Sequence, residues 1–321
     1  MIFNLDLILL TFFGLLVLLI SAHCLIENIS DLAKKLNVSQ FIIASCTIAL
    51  GTSIPELSAS IKSVYSGYSG IAVGNLVGSN IANILLVIGL SATIYPLKIH
   101  SEDVIKLETV ASIFVVIFPA IFLLRLNSAE SIMVSMLAIL LFIYFFLQRI
   151  NIEKLNTKKI PSIKKTTFSL ILKNIFFIAG LILGSHLLID SAVKLAETYT
   201  ISERVIGLSL VAIGTSLPEL TICVAAALKQ KQGVAIGTVL GSNMYNILAM
   251  LSAVEIYENI GGRNGAILKN IEISDIIFLA LSTLLVFIFI MFPKKPKIID
   301  RREGNILFIF YIVYIFLIFK G

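Results

Sequence analysis

The sequence predicts an all-α polytopic membrane protein whose ten transmembrane helices form two inverted five-helix repeats. Three observations support this fold class. Hydrophobic residues make up 58% of the 321 positions, polar residues divide the chain into ten apolar runs, and two motifs each occur twice. Charged residues make up only 14% of the chain, against roughly 25% in soluble domains. These values exclude a soluble globular protein.

The apolar runs are long enough to cross a bilayer, which requires about 20 residues in a helix. We place them at 7–26, 40–64, 71–95, 104–124, 130–148, 168–190, 204–228, 233–254, 272–292 and 303–319. The longest polar interval separates the fifth run from the sixth. We therefore predict a first repeat over 1–148, a cytoplasmic linker over 149–166 and a second repeat over 167–321, together forming one membrane domain.

An internal duplication relates the two halves. The motif Gly-Thr-Ser-x-Pro-Glu occurs at 51–56 and 214–219, and Gly-Ser-Asn-x-x-Asn occurs at 78–83 and 241–246. Both pairs are 163 positions apart. Between the segments 44–85 and 207–248, 16 of 42 positions are identical without a gap. A constant offset of this kind indicates a duplicated structural unit.

The basic residues predict the orientation of the chain. Of the 25 Lys and Arg residues, 18 fall in the polar intervals on one side of the predicted membrane. The more basic side is normally cytoplasmic, so we expect the 149–166 linker inside the cell and both termini outside. Because each half has an odd number of helices, the second half enters the membrane inverted, as in many secondary transporters.

The first motif predicts a broken helix that carries a carboxylate. Pro55 has no backbone N–H and disrupts the helix near Gly51, so we expect backbone carbonyls from Ala49 to Thr52 to lose their partners. Thr52 and Ser53 precede Glu56 by four and three residues, which places them on its helical face. Pro218, with Thr215, Ser216 and Glu219, repeats the arrangement in the second half.

These residues supply hard oxygen ligands. Carboxylate, hydroxyl and carbonyl oxygens are typical ligands of Na⁺ and Ca²⁺, rather than of zinc or copper. A helix kink without a bound ion is the structural alternative, since Pro and Ser are common in membrane helices. A carboxylate inside an apolar run is costly, and one occurs in each copy. We therefore predict a cation site at the middle of the bilayer.

The second motif extends this site onto the next helix. Ser79 and Asn83 are four residues apart and share one helical face, as do Ser242 and Asn246. We predict that Asn83 and Asn246 join a cation or proton network. The adjacent Asn80 and Asn243 lie off this face, so we predict a structural role for them, through hydrogen bonds to backbone. Glycines repeat every four residues, at 74 and 78 and at 237 and 241, and predict close helix packing.

Asn75 extends the polar face of the third run by one further turn. Its counterpart at the offset of 163 is Thr238. The symmetry between the two halves therefore fails at this position.

The charge of the predicted site favours cation exchange. Glu56 and Glu219 contribute two negative charges, which one Ca²⁺ or several Na⁺ would neutralise. Because both ions would compete for the same carboxylates, binding of Ca²⁺ would exclude Na⁺ and binding of Na⁺ would exclude Ca²⁺. Proton/Ca²⁺ exchange and a passive cation channel are the alternatives. No His-Glu-x-x-His or paired catalytic residues indicate an enzyme, and no nucleotide-binding motif indicates coupling to ATP.

The expected partners are the transported ions and the lipid bilayer. The net charge of +6 does not indicate nucleic-acid binding, because the basic residues lie in the intervals between apolar runs. We expect no cofactor, and we expect a monomer.

The duplicated motifs resemble those of the Ca²⁺/cation antiporter superfamily, in particular its prokaryotic sodium/calcium exchanger branch. The resemblance covers nearly the whole chain, including the ten runs and the division into five and five. It implies an Na⁺/Ca²⁺ antiporter of the inner or plasma membrane that works by alternating access, in which the first and sixth helices slide across a core of the second, third, seventh and eighth.

The resemblance also implies which residues bind the ions. The Ca²⁺ ligands would be the carboxylates of Glu56 and Glu219 and the carbonyls of Thr52 and Thr215. The flanking Na⁺ sites would use Ser53, Ser79, Ser216 and Ser242, with the carbonyls of Ala49 and Ala212. Asn83 and Asn246 would complete the site.

Two features of the chain refine this expectation. Potassium-dependent relatives carry an acid at the position of Asn246, so transport independent of K⁺ is expected. Proton-driven relatives tend to carry an additional acid in the third or eighth helix. None occurs between 71 and 95 or between 233 and 254, which favours Na⁺ as the coupling ion.

Overall fold

A computed structural model shows an almost entirely helical protein. It describes residues 5–36, 38–65, 69–98, 102–124, 126–156, 166–198, 215–261, 273–291 and 298–320. Seven of the described helices are long and apolar enough to cross a membrane: Asp6–Leu36, Gln40–Ile61, Ala72–Ile94, Ser128–Ile152, Thr167–Gly184, Gln232–Ile260 and Ile273–Ile290.

The helices follow the predicted apolar runs, and the two short strands lie between runs. The first half contains α1 (Leu5–Leu36), α2 (Gln40–Ile43), the π-helical segment π1 (Ala44–Ile48), α3 (Ala49–Thr52), α4 (Ile54–Tyr65), α5 (Ser69–Ala82), π2 (Asn83–Ile88), α6 (Gly89–Ile94), β1 (Leu97–Lys98), α7 (Glu102–Ile121), a 3-10 turn (Phe122–Leu124) and α8 (Ser128–Asn156). The second half contains α9 (Thr167–Thr198), α10 (Leu217–Leu228), α11 (Gln232–Met244), π3 (Tyr245–Leu251), α12 (Ser252–Ile260), α13 (Ile273–Met291), β2 (Ile298–Ile299) and α14 (Arg301–Lys320). Each predicted run contains helix, although residues 204–214 of the seventh run lie outside the described residues.

The helix boundaries repeat the offset seen in the sequence. Helix α10 begins and ends 163 residues after α4, α11 begins 163 residues after α5, and α12 begins 163 residues after α6. The duplication therefore extends from residue identity to the local backbone of both halves.

Burial separates a central group of spans from a peripheral group. In the most apolar 18-residue stretch of the spans Gln232–Ile260, Ala72–Ile94 and Gln40–Ile61, 94%, 78% and 65% of the residues are buried. In the corresponding stretches of α1 and α9 only 22% and 28% are buried. The peripheral helices expose many large apolar side chains, as expected for helices that face lipid. The central spans carry both copies of the second motif and the first copy of the first motif.

The two long helices α1 and α9 pack closely against each other. A Cβ atom at Gly184 would lie 2.7 Å from the Leu18 backbone nitrogen, so a larger residue would push the helices apart. Further along, the Asn28 amide donates to the Leu170 carbonyl and to Asn174 Oδ1, both at 2.7 Å. These polar contacts explain why α1 continues to Leu36, ten residues beyond the predicted apolar run.

Two further boundaries differ from the prediction. Helix α8 continues through Asn156, so residues 149–156 of the predicted linker are helical. Arg149 is buried there because Glu108 of α7 neutralises it, with Nε–Oε1 at 2.5 Å. The helix of the eighth run continues to Ile260, and it carries buried Glu255 and Glu258 beyond the predicted end.

A two-residue antiparallel ladder joins the loops that follow the third and ninth runs. Leu97 pairs with Ile299 and Lys98 pairs with Ile298. The ladder connects the first half of the chain to the second half.

Candidate cation site

The broken helices have the same local backbone in both halves. Ser53 has φ −87° and ψ 3°, and Ser216 has φ −89° and ψ 4°, so both depart from helical geometry in the same way. Each serine is followed by a new helix with proline near its start, where the missing N–H has no helical partner to lose. The sequence therefore predicted the break correctly, and the structure locates it at the serine.

The break affects fewer carbonyls than expected. The Ala49 carbonyl still accepts from the Ser53 backbone N–H at 3.1 Å and from the Thr52 hydroxyl at 3.4 Å. The Thr52 hydroxyl also donates to the Ile48 carbonyl at 3.1 Å. The chain stays helical through Thr52, so the Ala49 carbonyl keeps a backbone partner.

Both carboxylates lie in the first turn of the helix that follows the break. Glu56 and Glu219 are completely buried. The N-terminal end of a helix carries unsatisfied N–H groups and a partial positive charge, which stabilise a nearby anion. The break thus gives each carboxylate a favourable position inside an otherwise apolar layer.

Glu219 is hydrogen-bonded by serines from both motifs. Its Oε1 accepts from Ser53 at 3.3 Å and from Ser242 at 3.2 Å. The Ser242 hydroxyl also lies 3.5 Å from the Ala49 carbonyl oxygen. Residues that are far apart in sequence, from the first half and from the second, therefore meet around one carboxylate.

Glu56 is in a different environment. Neither of its carboxylate oxygens has a hydrogen-bond partner in the described part of the chain. The same holds for other buried oxygens from the two motifs, namely Ser216 Oγ, Glu219 Oε2, Asn83 Oδ1 and Asn246 Oδ1. A buried polar atom without a partner is costly, and a group of such oxygens can be satisfied by a hard cation.

The asparagines of the second motif divide into two roles. The Asn80 amide donates to the Asn243 carbonyl at 3.0 Å, and the Asn243 amide approaches the Asn80 carbonyl at 3.5 Å. The structural role predicted for this pair is present as a reciprocal contact between α5 and α11. Asn83 donates to Asn243 Oδ1 at 3.0 Å, whereas both polar atoms of Asn246 lack a partner.

Two elements widen the backbone at the site. The segment π2 begins at Asn83, and π3 contains Asn246. π-Helical turns insert an extra residue into a helix and occur often at functional sites. In π1, the Cys46 carbonyl accepts from the Tyr245 hydroxyl at 3.1 Å. This contact links the segment before the first break to the start of π3, and the sequence motifs did not indicate it.

Glycine allows α11 to approach the first break. A Cβ atom at Gly241 would lie 2.5 Å from the Ser45 carbonyl oxygen and 2.6 Å from the Ala49 Cβ. The close packing predicted for Gly237 and Gly241 is therefore present, and it brings Ser242 to Ala49. The counterpart contacts of Gly74 and Gly78 would involve residues 204–212, which lie outside the described residues.

The remaining predicted residues occupy these same elements. Ser79 is buried on α5, and the Thr215 hydroxyl donates to Asn75 Oδ1 at 3.3 Å. Ala212 lies outside the described residues. The contact between Asn75 and Thr215 was not predicted, although the sequence placed Asn75 on the polar face of the third run and showed that the symmetry fails at this position.

Comparison with known proteins assigns the chain to a family. The profile of the sodium/calcium exchanger protein family matches residues 7–150 and 169–320. The sodium/calcium exchanger MaX1 of Methanosarcina acetivorans is 30% identical over 350 residues, covering 95% of this chain and 96% of the relative. The inner membrane protein YrbG of Escherichia coli is 30% identical over 247 residues, covering 74% of this chain and 76% of the relative.

A solved structure has the same fold. The sodium-calcium exchanger NCX_Mj, soaked with 2.5 mM Na⁺ and 10 mM Sr²⁺, matches with a TM-score of 0.84 and 28% identity, and the match covers 97% of this chain and 98% of that chain. Both the sequence and the fold therefore identify a multi-pass membrane transporter rather than an enzyme. The chain belongs to the sodium/calcium exchanger protein family.

Proposed function

We propose that this protein exchanges Na⁺ for Ca²⁺ across the cell membrane by alternating access, without a requirement for K⁺. One observation carries the proposal: two buried carboxylates, one from each half, lie in the first turn of two broken helices among hydroxyl and amide oxygens. The Glu56 oxygens have no hydrogen-bond donor in the described residues. A carboxylate in such a place is costly unless a cation or a proton compensates it.

The proposed Ca²⁺ ligands are Glu56 and Glu219 with the carbonyls of Thr52 and Thr215. The proposed Na⁺ ligands are Ser53, Ser79, Ser216 and Ser242 with the carbonyls of Ala49 and Ala212, and Asn83 and Asn246 complete the set. The contacts of Ser53 and Ser242 with Glu219 support this assignment. The oxygen-only character of the set favours hard cations.

Exchange follows from shared ligands. One Ca²⁺ neutralises the two negative charges, and so do several Na⁺ at neighbouring subsites. Ca²⁺ and Na⁺ compete for the same oxygens, so they do not bind together. Without a bound cation, the two uncompensated carboxylates would hinder the change between the inward-open and outward-open states. Each load must also bind differently to the inward-open and outward-open states, because a ligand shifts an equilibrium only by its differential affinity.

The proposed architecture has ten transmembrane helices in two inverted repeats, over 1–148 and 167–321, with a cytoplasmic linker over 149–166 and both termini outside. The shared offset of the helix boundaries supports the duplication. YrbG is named as an inner membrane protein, which supports the same location here. MaX1 is named as a sodium/calcium exchanger, which supports the proposed pair of ions.

Proton/Ca²⁺ exchange is the second candidate, and one observation favours it. Helix α12 carries buried Glu255 and Glu258, and Glu255 accepts from Ser131 and from Asn259. However, Glu255 follows Asn246 by nine residues, which is about 13 Å along a helix. These acids are therefore separated from the central site, and Na⁺ remains the preferred coupling ion.

Transport assays distinguish the candidates. Purified protein is reconstituted into proteoliposomes loaded with Na⁺, which are diluted into Na⁺-free buffer that contains ⁴⁵Ca²⁺. We expect uptake that requires internal Na⁺ and is absent from choline-loaded vesicles. Addition of K⁺ should leave the rate unchanged. Uptake that ignores Na⁺ but follows an imposed pH gradient would instead establish proton coupling.

Two substitutions test the site itself. Glu56→Gln and Glu219→Gln each remove one of the two charges that compensate Ca²⁺, so we expect Na⁺-dependent uptake to fall to background. Glu255→Gln is the matched control, because it removes a buried carboxylate outside the proposed ligand set. Wild-type rates in either site variant would refute the assignment. A loss of pH-driven uptake in Glu255→Gln would support the proton-coupled candidate.

A further inference from the structure

The side chain of Asn75 connects the two halves of the protein. Its amide nitrogen donates to the Glu56 backbone carbonyl at 2.9 Å and to the Ser60 hydroxyl at 3.0 Å. Its amide oxygen accepts from the Thr215 hydroxyl at 3.3 Å. One side chain on α5 therefore contacts the backbone of the first carboxylate residue and the threonine that precedes the second break.

The described residues of the second half contain no equivalent connection. The counterpart of Asn75 is Thr238, which is fully buried and whose hydroxyl has no hydrogen-bond partner among the described residues. The counterpart of Thr215 is Thr52, whose hydroxyl donates to the Ile48 carbonyl of its own helix. Among the described residues, the hydrogen bond between position 75 of α5 and a threonine of the repeated motif therefore occurs once, from Thr215 to Asn75.

The surrounding contacts are otherwise conserved between the halves. The Ser60 hydroxyl donates to the Ala72 carbonyl at 3.4 Å. The counterpart residue, Cys223, donates to the Ala235 carbonyl at 3.4 Å. Because this neighbouring contact is the same in both halves, the asymmetry lies in the Asn75 amide rather than in a general displacement of α5.

We propose that Asn75 is a positioning residue that fixes Glu56 and Thr215 relative to each other and so preorganises the site for Ca²⁺. This inference rests on the proposed function. A single Ca²⁺ requires oxygens from both halves at the same time, and a connection between the halves lowers the cost of ordering them. Na⁺ ions at separate subsites require fewer groups at once, so they depend less on this connection.

The inference predicts a selective loss of Ca²⁺ affinity. Asn75→Ala removes all three hydrogen bonds of the side chain, and Thr215→Val removes the hydroxyl while it keeps the shape and the backbone carbonyl. We expect each variant to raise the half-saturating Ca²⁺ concentration about tenfold, since each loses at least one buried hydrogen bond. For Asn75→Ala, the maximal rate and the half-saturating Na⁺ concentration should stay within about twofold of wild type.

A double-mutant cycle shows whether Asn75 acts through Thr215. If Asn75 acts through Thr215, the Ca²⁺ affinity of the double variant should be no lower than that of the single variant with the lower affinity. The proposal would be overturned if the affinity loss of the double variant equalled the product of the two single losses. A wild-type Ca²⁺ affinity in Asn75→Ala would also overturn it. Thr238→Val is the matched control, and we expect wild-type behaviour because its hydroxyl has no partner.

Calorimetric titration of Ca²⁺ onto the purified protein separates this inference from the proposed function. If wild-type protein binds Ca²⁺ but does not couple transport to Na⁺, the proposed exchange fails while the affinity shift of Asn75→Ala still tests the positioning role. Asn75→Thr, which installs the second-half residue, serves as the backup if the alanine variant elutes as an aggregate in size-exclusion chromatography. It should show the same affinity shift, and an unchanged affinity would overturn the proposal.

Discussion

The two carboxylates of the candidate site differ in the hydrogen bonds that they accept. Glu219 accepts hydrogen bonds from Ser53 and Ser242, whereas the Glu56 oxygens accept none within the described residues. Hydrogen bonds to a charged group stabilise it more strongly than those to a neutral group. The charge on Glu56 therefore depends more on a bound cation than the charge on Glu219 does.

Substitution of Ser242 tests how much its hydrogen bond to Glu219 contributes. Its hydroxyl bonds to Glu219 and approaches the Ala49 carbonyl oxygen, so it belongs to the proposed Na⁺ ligands. In Ser242→Ala we expect the half-saturating internal Na⁺ concentration to rise about tenfold, because a hydrogen bond to a charged group contributes roughly 1.5 kcal/mol or more. The measurement is ⁴⁵Ca²⁺ uptake at graded internal Na⁺.

The control for this experiment is Ser91→Ala. Ser91 is fully buried on α6, and its hydroxyl has no partner in the described structure. It lies twelve residues beyond Ser79, or about 18 Å along a helix. We expect unchanged Na⁺ dependence in this variant, and a shift equal to that of Ser242→Ala would show that the loss of any buried hydroxyl has the same effect.

Helices α7, α8 and α11 are connected by a buried ion pair. Arg149 donates to both oxygens of Glu108, at 2.5 and 2.6 Å, and its Nη2 also lies 3.3 Å from the Leu240 carbonyl oxygen. The pair therefore connects two helices of the first half to α11 of the second half, the helix that also carries Ser242.

Breaking this pair should destabilise the protein. Arg149→Met leaves Glu108 as an uncompensated buried charge, which costs about 3–5 kcal/mol, so we expect the Tm in detergent to fall by about 5–10 °C. The chain contains no Trp, so unfolding is better followed with a thiol-reactive dye that reports exposure of buried Cys223.

The matched variant is the double substitution Glu108→Leu with Arg149→Met. It removes both charges, and replacing a buried pair by apolar residues is often neutral for stability. We expect its Tm to lie closer to wild type than that of Arg149→Met. An equal or larger loss in the double variant would show that packing, rather than charge compensation, accounts for the effect.

The proposed inverted arrangement of the two halves predicts where the polar segments lie. Five helices in the first half would put the N-terminus and the central linker on opposite sides of the membrane, and the distribution of basic residues would put the linker inside. In a background without the native cysteines, an impermeant maleimide should label Asn4→Cys in intact cells and Ser162→Cys only after lysis. Labelling of Ser162→Cys in intact cells would reverse the orientation, and identical labelling of both variants would contradict the odd number of spans between them.

Several features could be predicted because their cause lies within a short stretch of chain. The length of an apolar run is sufficient to predict a membrane helix, and Pro55 and Pro218 are sufficient to predict a break. The boundaries were harder to predict. Helix α8 passes Arg149 because Glu108 neutralises it, and α1 passes its apolar run because Asn28 bonds to α9.

The sequence alone established a duplicated membrane protein, with two carboxylates in broken helices, because hydropathy, repetition and proline chemistry are local properties. Only the tertiary structure revealed that Ser53 bonds to Glu219 across 166 positions and that Asn75 bonds to Thr215 across 140. Such pairings depend on how closely helices pack, as at Gly241, and on which side chains then face each other. No local pattern encodes that geometry, so the unequal environments of the two carboxylates emerged only from the packed helices.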